Sequence, residues 1–196
     1  MTTARLPAPE RRRQLLDVAI KVFGERGFHN TSMNDVATEA GITKPVLYQH
    51  FASKRDLYAA LLEAVGVELL DRIGEAVANA TRPKEMVDLG FGAWFRFVAE
   101  EPAAFALLFS GDSRQDPEFA LHVAGVEQQL ADTIVGLLDI PELDREHRRL
   151  LAHGIMGISE AVTRNWLSLG ATTDHEELAR TTSALAWYGL RGAPQD

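Results

Sequence analysis

The amino-acid sequence predicts an all-α protein. Apolar residues recur at helical spacing along most of its 196 residues, beginning with Leu15, Ala19, Val22 and Phe23 at i, i+4, i+7 and i+8. Glycine and proline residues divide the chain into about nine such segments. No stretch alternates apolar and polar residues in the way that a half-buried strand requires. We therefore expect helices throughout the chain.

The expected helices are bounded by glycine and proline. Gly27 ends the first helix, Gly41 separates the second from the third, and Thr81-Arg82-Pro83 ends a long fourth helix. At 1.5 Å per residue the fourth helix is about 40 Å long, which is enough to join two domains. The expected helices cover residues 10–26, 33–40, 44–51, 54–80, 84–100, 102–110, 116–138, 144–169 and 174–190.

Residues 31–58 have the pattern of a helix-turn-helix that leads into the fourth helix. Ser32 is the expected N-cap of the second helix, and Gly41 supplies the positive φ that a sharp turn needs. Thr43 is the expected N-cap of the third helix, and Pro45 falls in its first turn, where the missing N–H costs little. These three helices form the predicted N-terminal domain.

The third helix has an apolar face and a polar face. Leu47 and Phe51 face inward, and the polar face carries Thr43, Lys44, Tyr48, Gln49 and His50. Such side chains bind the phosphates and base edges of duplex DNA. Lys54 and Arg55 add positive charge at the start of the fourth helix, whose N-terminus attracts anions. The alternative is a helical hairpin with a solvated polar face.

At these residues the sequence resembles the TetR family of bacterial transcriptional regulators. The resemblance covers residues 10–60 and rests on FGERGF at the end of the first helix and on TSMNDVATEAGITKPVLYQHFASKRDLY. It implies a homodimer in which residues 1–58 bind a near-palindromic double-stranded DNA operator and residues 59–196 bind a ligand and dimerise. The DNA contacts that the resemblance implies are Ser32, Met33, Thr43, Lys44, Pro45, Tyr48, Gln49, His50 and Lys54.

The distribution of charge agrees with two domains of different roles. The net charge is −8, but residues 1–58 carry nine Lys/Arg against six Asp/Glu, whereas residues 59–196 carry eleven against twenty-two. A basic N-terminal domain can approach phosphates while an acidic C-terminal domain is repelled from them. The chain has no cysteine, no apolar signal segment and no stretch long enough to span a membrane. We therefore expect a cytoplasmic protein with no membrane partner.

Aromatic residues are concentrated early in the C-terminal domain. Six of the nine Phe lie between residues 91 and 119, together with Trp94. One interpretation is ordinary core packing, and the other is an apolar cavity for a small effector, with a few polar anchors. Glu160 and Arg164 are candidate anchors, although their i, i+4 spacing also suits a surface pair. The candidate effector residues are Phe91, Trp94, Phe95, Phe105, Phe109, Glu160 and Arg164.

The last two expected helices carry small residues beside large apolar ones. Such a surface lets another helix approach closely, and two helices from each subunit would form a four-helix interface. The alternative is a buried pair within one subunit. The candidate interface residues are Gly154, Gly157, Ile158, Ala161, Val162 and Leu185.

The sequence shows no constellation for catalysis. There is no H-E-x-x-H, G-x-S-x-G, G-x-G-x-x-G or P-loop pattern, so we expect no enzyme activity, no cofactor and no metal. Convergence of His122, His147 and His153 on a metal ion is an alternative that spacing alone leaves open. A non-DNA-binding adaptor with the same fold is another.

A narrower resemblance suggests the class of effector. The segments RLPAPERRRQLLDVA, KPVLYQHF, FALLF, RNWL and AWYGL are similar to those of actinobacterial TetR-type regulators that control lipid synthesis in response to long-chain acyl-CoA. This implies an elongated apolar effector, with long-chain acyl-CoA or a fatty acid as the candidate. We expect a ligand-responsive regulator, with repression favoured and activation of lipid-synthesis genes as the alternative.

Overall fold

The computed structural model describes residues 7–109, 111–138 and 143–191, and these residues are helical with no strand among them. The prediction of an all-α fold is therefore confirmed. The helices are α1 (Ala8–Arg26), α2 (Met33–Glu39), α3 (Lys44–Tyr48), α4 (Lys54–Val77), α5 (Pro83–Glu100), α6 (Pro102–Phe109), α7 (Gly111–Gln115), α8 (Pro117–Leu137), α9 (Arg145–Ser168) and α10 (His175–Arg191). Within the described ranges, no helix combines the length and the apolar character needed to cross a membrane.

The expected elements are present, with one additional short helix and with differences of a few residues at several ends. The short α7 was not predicted, and the expected end of the sixth helix at residue 110 lies outside the described residues. Helix α4 ends at Val77 rather than residue 80. Helix α3 ends at Tyr48 because the N–H groups of Gln49 and His50 donate to carbonyls three residues earlier, at 3.2 and 3.0 Å, which tightens the chain into a turn.

The chain folds as two compact units. The N-terminal unit is Met1–Gly66 together with Ala103–Ala124, and the C-terminal unit is Val67–Pro102 together with Gly125–Asp196. The predicted boundary at residue 58 separates DNA binding from ligand binding and dimerisation. The two structural units do not test this division of function, which stays a prediction.

Aromatic rings fill the centre of the N-terminal unit. Phe28 lies 4.9 Å from both Tyr58 and Phe119 between ring centroids, and Phe23 lies 5.1 Å from Tyr58. All four side chains are buried. Because Phe119 belongs to α8, residues far apart in sequence form one core with the helix-turn-helix.

Helix α6 passes very close to α1 in the same unit. A Cβ atom placed on Gly24 would lie 2.6 Å from the Cβ of Ala103 and 3.1 Å from its Cα. Only a residue without a side chain permits this approach. The Tyr58 hydroxyl also lies 3.0 Å from the Ser113 hydroxyl, which donates to the carbonyl of Leu107. Residues 103–124 are thus an integral part of the N-terminal unit.

The C-terminal unit is built around contacts of α5 with α9 and α10. Trp94 Nε1 donates to the hydroxyl of Thr163 at 2.9 Å, and both side chains are buried. The Ser183 hydroxyl of α10 donates to the Asp88 carboxylate at 2.8 Å. These bonds satisfy polar groups that close helix packing has removed from water.

Candidate nucleic-acid interface

The helix-turn-helix has the local structure that its sequence predicts. Ser32 accepts a hydrogen bond from the N–H of Asp35 at 3.2 Å, and Asp35 accepts one from the N–H of Ser32 at 2.8 Å. This reciprocal capping box confirms Ser32 as the N-cap. The hydrogen bonds from Ser32 lower the pKa of Asp35. Gly41 has a φ of 64°, and the N–H of Ile42 donates to the carbonyl of Ala37 at 2.9 Å to close the turn.

The polar face of α3 is exposed. Leu47 and Phe51 are buried, as predicted, and they hold α3 against the core. Tyr48 is 45% exposed, and the Lys44 ammonium lies 5.9 Å from the centre of its ring. His50 is half-buried, and the remaining exposed residues of this face are Thr43, Lys44, Pro45 and Gln49. Thr43 occupies the N-cap position, but its side chain makes no capping hydrogen bond.

The structure bears on the two DNA contacts that the resemblance implies at the start of α2. The implied side-chain contact of Met33 is corrected, because this side chain is only 5% exposed and packs in the core. Its backbone N–H, at the first helical position, has no partner within the helix and is the group able to meet a phosphate. The Ser32 hydroxyl is already engaged with Asp35. Contact of Ser32 with DNA stays a prediction.

Lys54 is used inside the protein. Its ammonium donates to the carbonyls of Phe28 at 2.8 Å and Thr31 at 2.9 Å, and it lies 4.2 Å from the centre of the Phe28 ring. These contacts fasten the start of α4 to the segment between α1 and α2. Two of the three N–H donors of Lys54 are therefore engaged within the protein, and its contact with a phosphate stays a prediction.

Arg55 is also turned toward the protein. Its guanidinium donates to Asp116 at 2.7 Å and to Glu118 at 2.7 Å, and it lies 4.6 Å from the centre of the Phe119 ring. The two carboxylates raise the pKa of Arg55, and the hydrogen bond from Arg55 lowers the pKa of Asp116. The expected attraction of Arg55 to phosphates is corrected to an internal role, in which it ties α4 to the start of α8.

One basic residue of α1 lies close to the turn that follows α3. The Arg12 guanidinium of α1 lies 4.8 Å from the centre of the Phe51 ring, and Arg12 is exposed. This contact holds a positive charge close to the turn that follows α3. Arg12 belongs to the basic run Arg11-Arg12-Arg13, and the sequence does not show which of the three faces α3.

The candidate effector aromatics fall in different units. Phe91 and Phe95 stack at 6.3 Å in the C-terminal unit, where Trp94 is also buried. Phe105 and Phe109 stack at 4.7 Å in the N-terminal unit. All five are buried. Their role in binding an effector stays a prediction.

The two candidate polar anchors, Glu160 and Arg164, bond to each other on α9. The Arg164 side chain is 51% exposed and that of Glu160 is 20% exposed. This is the surface pair that their spacing allows. Their contact with an effector stays a prediction.

A groove of about 480 Å³ lies between α5 and α10 in the C-terminal unit. Charged residues line it, including Lys84, Asp88, Arg96 and Arg180. None of the seven candidate effector residues lines this groove. Its lining suits polar molecules rather than the apolar effector that the sequence suggests.

The candidate dimer residues lie on the outer side of α9 and α10. Gly154, Gly157 and Ala161 are exposed, and added Cβ atoms on the two glycines would meet no other group within 4 Å. Leu185 is 62% exposed. Ile158 and Val162 are half-buried at the edge of this surface. The surface is available for a second subunit, and its use stays a prediction.

His122, His147 and His153 do not form a metal site. In the described parts of the chain, no three His, Asp or Glu side chains are grouped closely enough to hold a metal ion. His147 instead bonds to the Asp144 carboxylate at 2.8 Å, which raises the pKa of His147 and, with the backbone N–H of His147, lowers the pKa of Asp144.

Two family models match the chain in sequence order. The model of "Bacterial regulatory proteins, tetR family" matches residues 15–61, and that of "Tetracyclin repressor-like, C-terminal domain" matches residues 83–189. The chain belongs to the TetR family. It is 34% identical over 191 residues to the HTH-type transcriptional activator FasR of Mycolicibacterium smegmatis, covering 97% of this chain and 87% of that protein. The match to the HTH-type transcriptional repressor KstR2 of Mycobacterium tuberculosis is 36% over 93 residues, or 47% of this chain and 46% of KstR2.

Solved structures of transcriptional regulators share the fold. A TetR-like transcriptional regulator from Rhodococcus sp. RHA1 has a TM-score of 0.79 and 30% identity, covering 96% of this chain and all of that chain. FadR from Bacillus subtilis, in complex with stearoyl-CoA, has a TM-score of 0.78 and 21% identity, covering 89% and 96%. At that identity the FadR comparison shows the fold alone. The family models and the match to FasR show that this chain is a TetR-family transcriptional regulator.

Proposed function

We propose that this TetR-family regulator binds a near-palindromic operator as a homodimer in the bacterial cytoplasm, and that a long-chain acyl ligand changes its affinity for that operator. The observation that carries the DNA-binding part is the exposed face of α3, where Lys44, Tyr48 and Gln49 stand on a helix anchored by buried Leu47. Exposed donors on a rigid helix are what a major groove accepts.

The outer surface of α9 and α10 supports the homodimer. Large apolar side chains stay exposed there, including Leu150, Leu185 and Tyr188, beside the open surface of Gly154 and Gly157. Contiguous exposed apolar surface marks interaction sites, and small residues between large ones allow two helices to pack closely. A two-fold dimer presents two copies of α3 to successive turns of one DNA face, about 34–36 Å apart. The operator is therefore two inverted half-sites.

The acyl ligand is supported by the relatives. FasR matches this chain along almost its whole length, and FadR from Bacillus subtilis, which has the same fold, was solved with stearoyl-CoA. An acyl chain also suits a C-terminal unit rich in buried aromatic side chains. The ligand acts through its different affinities for the DNA-competent and DNA-incompetent forms, a coupling commonly worth about 1–3 kcal/mol.

The sign of regulation depends on where the operator lies relative to the promoter. The sequence favoured repression, whereas FasR, which aligns with both parts of the chain, is an activator. KstR2, a repressor, aligns with less than half of this chain. Transcription in vitro from a promoter that carries the operator, with and without the protein, separates the two outcomes.

Selection of binding sites from a random duplex library tests the proposal, because it finds the operator directly. We expect an inverted repeat to be enriched, and we expect palmitoyl-CoA to change the affinity for it by about 5- to 150-fold in a gel-shift titration. The matched variants are Tyr48→Ala, on the exposed face, and Tyr188→Ala, which is exposed on α10. Tyr48→Ala should weaken binding by more than tenfold at unchanged melting temperature. Enrichment of no sequence would favour the adaptor function.

A further inference from the structure

Arg12 places a positive charge at the edge of the buried face of α1. Leu15, Leu16 and Ala19 follow it at i+3, i+4 and i+7, and all three are buried. Residues at these spacings share one face of a helix. Arg12 itself is exposed. A long side chain can lie along apolar surface and keep its charged end in water, so this charge emerges beside the core rather than on the free side of α1.

The ring of Phe51 fixes the position of that charge. The guanidinium carbon of Arg12 lies 4.8 Å from the ring centre, and Phe51, three residues after the end of α3, is buried. The face of the ring attracts the cation. Within the described residues, the side chain of Arg12 donates no hydrogen bond and forms no ion pair. Its N–H groups therefore stay available for an anion at this place.

The arginines on either side of Arg12 are placed differently. Arg11 is half-buried, and its Nη1 donates to the side-chain oxygen of Gln14 at 2.8 Å. Arg13 is exposed, but it lies about 100° further round the helix, on the side of the exposed Asp17. In the part of the chain that the structure describes, Arg12 alone among the three arginines contacts the segment that follows α3.

This charge stands beside the helix proposed to read DNA. Lys44 and Tyr48 are exposed on α3, and His50 leads directly into Phe51. A helix that lies in a major groove has the phosphates of the two strands on either side of it, and basic side chains next to the helix bind those phosphates. Arg12 lies beside the end of α3 and not on its exposed face, so its position suits the backbone rather than the base edges.

We infer that Arg12 binds a phosphate of the operator backbone, which makes α1 a second DNA-contacting element beside α3. The inference rests on the proposed DNA binding and adds a residue that the resemblance to the TetR family does not imply. Arg12 also precedes residues 15–61, which the family model matches. The planar guanidinium offers paired N–H groups that fit a phosphate. Because phosphates are the same in every base sequence, the contact contributes affinity without selecting the operator.

Three variants of the full-length protein test the assignment. Arg12→Met removes the charge and keeps a long apolar side chain over Phe51, and Arg12→Lys keeps the charge without the fork. Arg13→Met is the matched control, because it removes the same charge from an exposed side chain one residue away. Each protein is titrated in gel shifts at several salt concentrations. The two probes are the inverted repeat found by operator selection and a scrambled duplex of the same length and composition. Thermal melts of the DNA-free proteins complete the set.

We expect Arg12→Met to weaken binding to both duplexes by the same factor, roughly tenfold for each subunit in contact, as for the loss of a hydrogen bond to a charged group. The slope of log affinity against log salt should decrease by about 0.9 for each subunit. The melting temperature should stay near that of the parent, because Met still covers the ring of Phe51. Arg12→Lys should keep the parental slope, and Arg13→Met should bind both duplexes as the parent does.

A parental salt slope for Arg12→Met would overturn the assignment, and a lower melting temperature beside it would show that Arg12 only covers Phe51. Equal losses for Arg12→Met and Arg13→Met would also overturn it, because the effect would then be the general charge of the N-terminal segment. A loss confined to the inverted repeat would mean a base contact instead of a phosphate contact. Failure of the parent to bind either duplex would overturn the proposed DNA binding itself.

Discussion

Replacement of Lys54 by Met should destabilise the protein without removing a DNA contact. The ammonium of Lys54 holds the carbonyls of Phe28 and Thr31 at 2.8 and 2.9 Å, and it stands 4.2 Å from the centre of the Phe28 ring. Met keeps the length and the apolar stem of the side chain. The variant therefore isolates the loss of the charge and of its three contacts.

The magnitude follows from those contacts. A hydrogen bond to a charged group contributes about 1.5–3 kcal/mol when buried, and a cation over an aromatic face about 0.5–1 kcal/mol at exposed sites. The lower ends of these ranges add up to roughly 3.5 kcal/mol for the three contacts. Lys54 is half-buried, so water compensates part of the loss and the expected total is smaller. We expect the free energy of unfolding to fall by about 2–3 kcal/mol. For a chain of this length that corresponds to a melting temperature lower by about 4–12 °C.

Lys44→Met is the matched control, because Lys44 is exposed on the polar face of α3. Its melting temperature should stay near that of the parent, since surface substitutions usually change stability by less than about 0.5 kcal/mol. In gel shifts at several salt concentrations, Lys44→Met should change the DNA binding and Lys54→Met should not. For Lys44→Met the slope of log affinity against log salt should decrease by about 0.9, the value for one lost phosphate contact. For Lys54→Met the slope should be parental at temperatures where the variant is folded.

A Lys54→Met protein that melts with the parent and shows the reduced salt slope would refute this reasoning. It would mean that the Lys54 ammonium leaves the two carbonyls when DNA is bound. Lys54 would then be the phosphate ligand that the resemblance to the TetR family implies.

Three other predictions concern the rest of the chain. Gly157→Arg should convert the proposed dimer to a monomer in sedimentation, and the control Gly136→Arg should not. Both glycines have open space around them, but only Gly157 lies on the α9 surface. A dimeric Gly157→Arg protein would place the interface elsewhere. Phe105→Ala should destabilise the protein by about 3–5 kcal/mol in denaturant melts, as for a buried, stacked ring; a small loss with an altered acyl-CoA response would instead make Phe105 part of the cavity. Arg55→Gln should melt at a lower temperature than the parent at pH 7. This difference in melting temperature should shrink as the pH falls below about 3.8, since Arg55 lowers the pKa of Asp116 and protonation of that carboxyl ends the ion pair. A difference that does not depend on pH would contradict this.

The elements predicted well from sequence are those that depend on near neighbours. Ser32 caps α2 through Asp35, three residues away. Gly27 and Gly41 both have the positive φ that their positions demand. Such signals lie within one turn of helix, so a short stretch of sequence contains both partners.

The internal contacts that could not be foreseen from sequence join side chains to distant partners. The partners of Lys54 lie 23 and 26 residues away, and those of Arg55 lie more than 60 residues away. A basic residue at a helix N-terminus looks the same in sequence whether it faces phosphate or a carbonyl.

The contact of α1 with α6 has a consequence for how the protein is made and recombined. A chain cut after Gly66 would lack Ala103, which packs on Gly24, and Phe119, which completes the aromatic core. On the ribosome, the DNA-reading unit cannot finish folding until residues 103–124 have emerged, so the first 66 residues must wait for more than fifty others. A chimera that borrows the helix-turn-helix of another regulator should therefore also borrow that regulator's equivalent of residues 103–124. Without it, the grafted segment would meet an Ala103 and an Asp116 selected for a different partner.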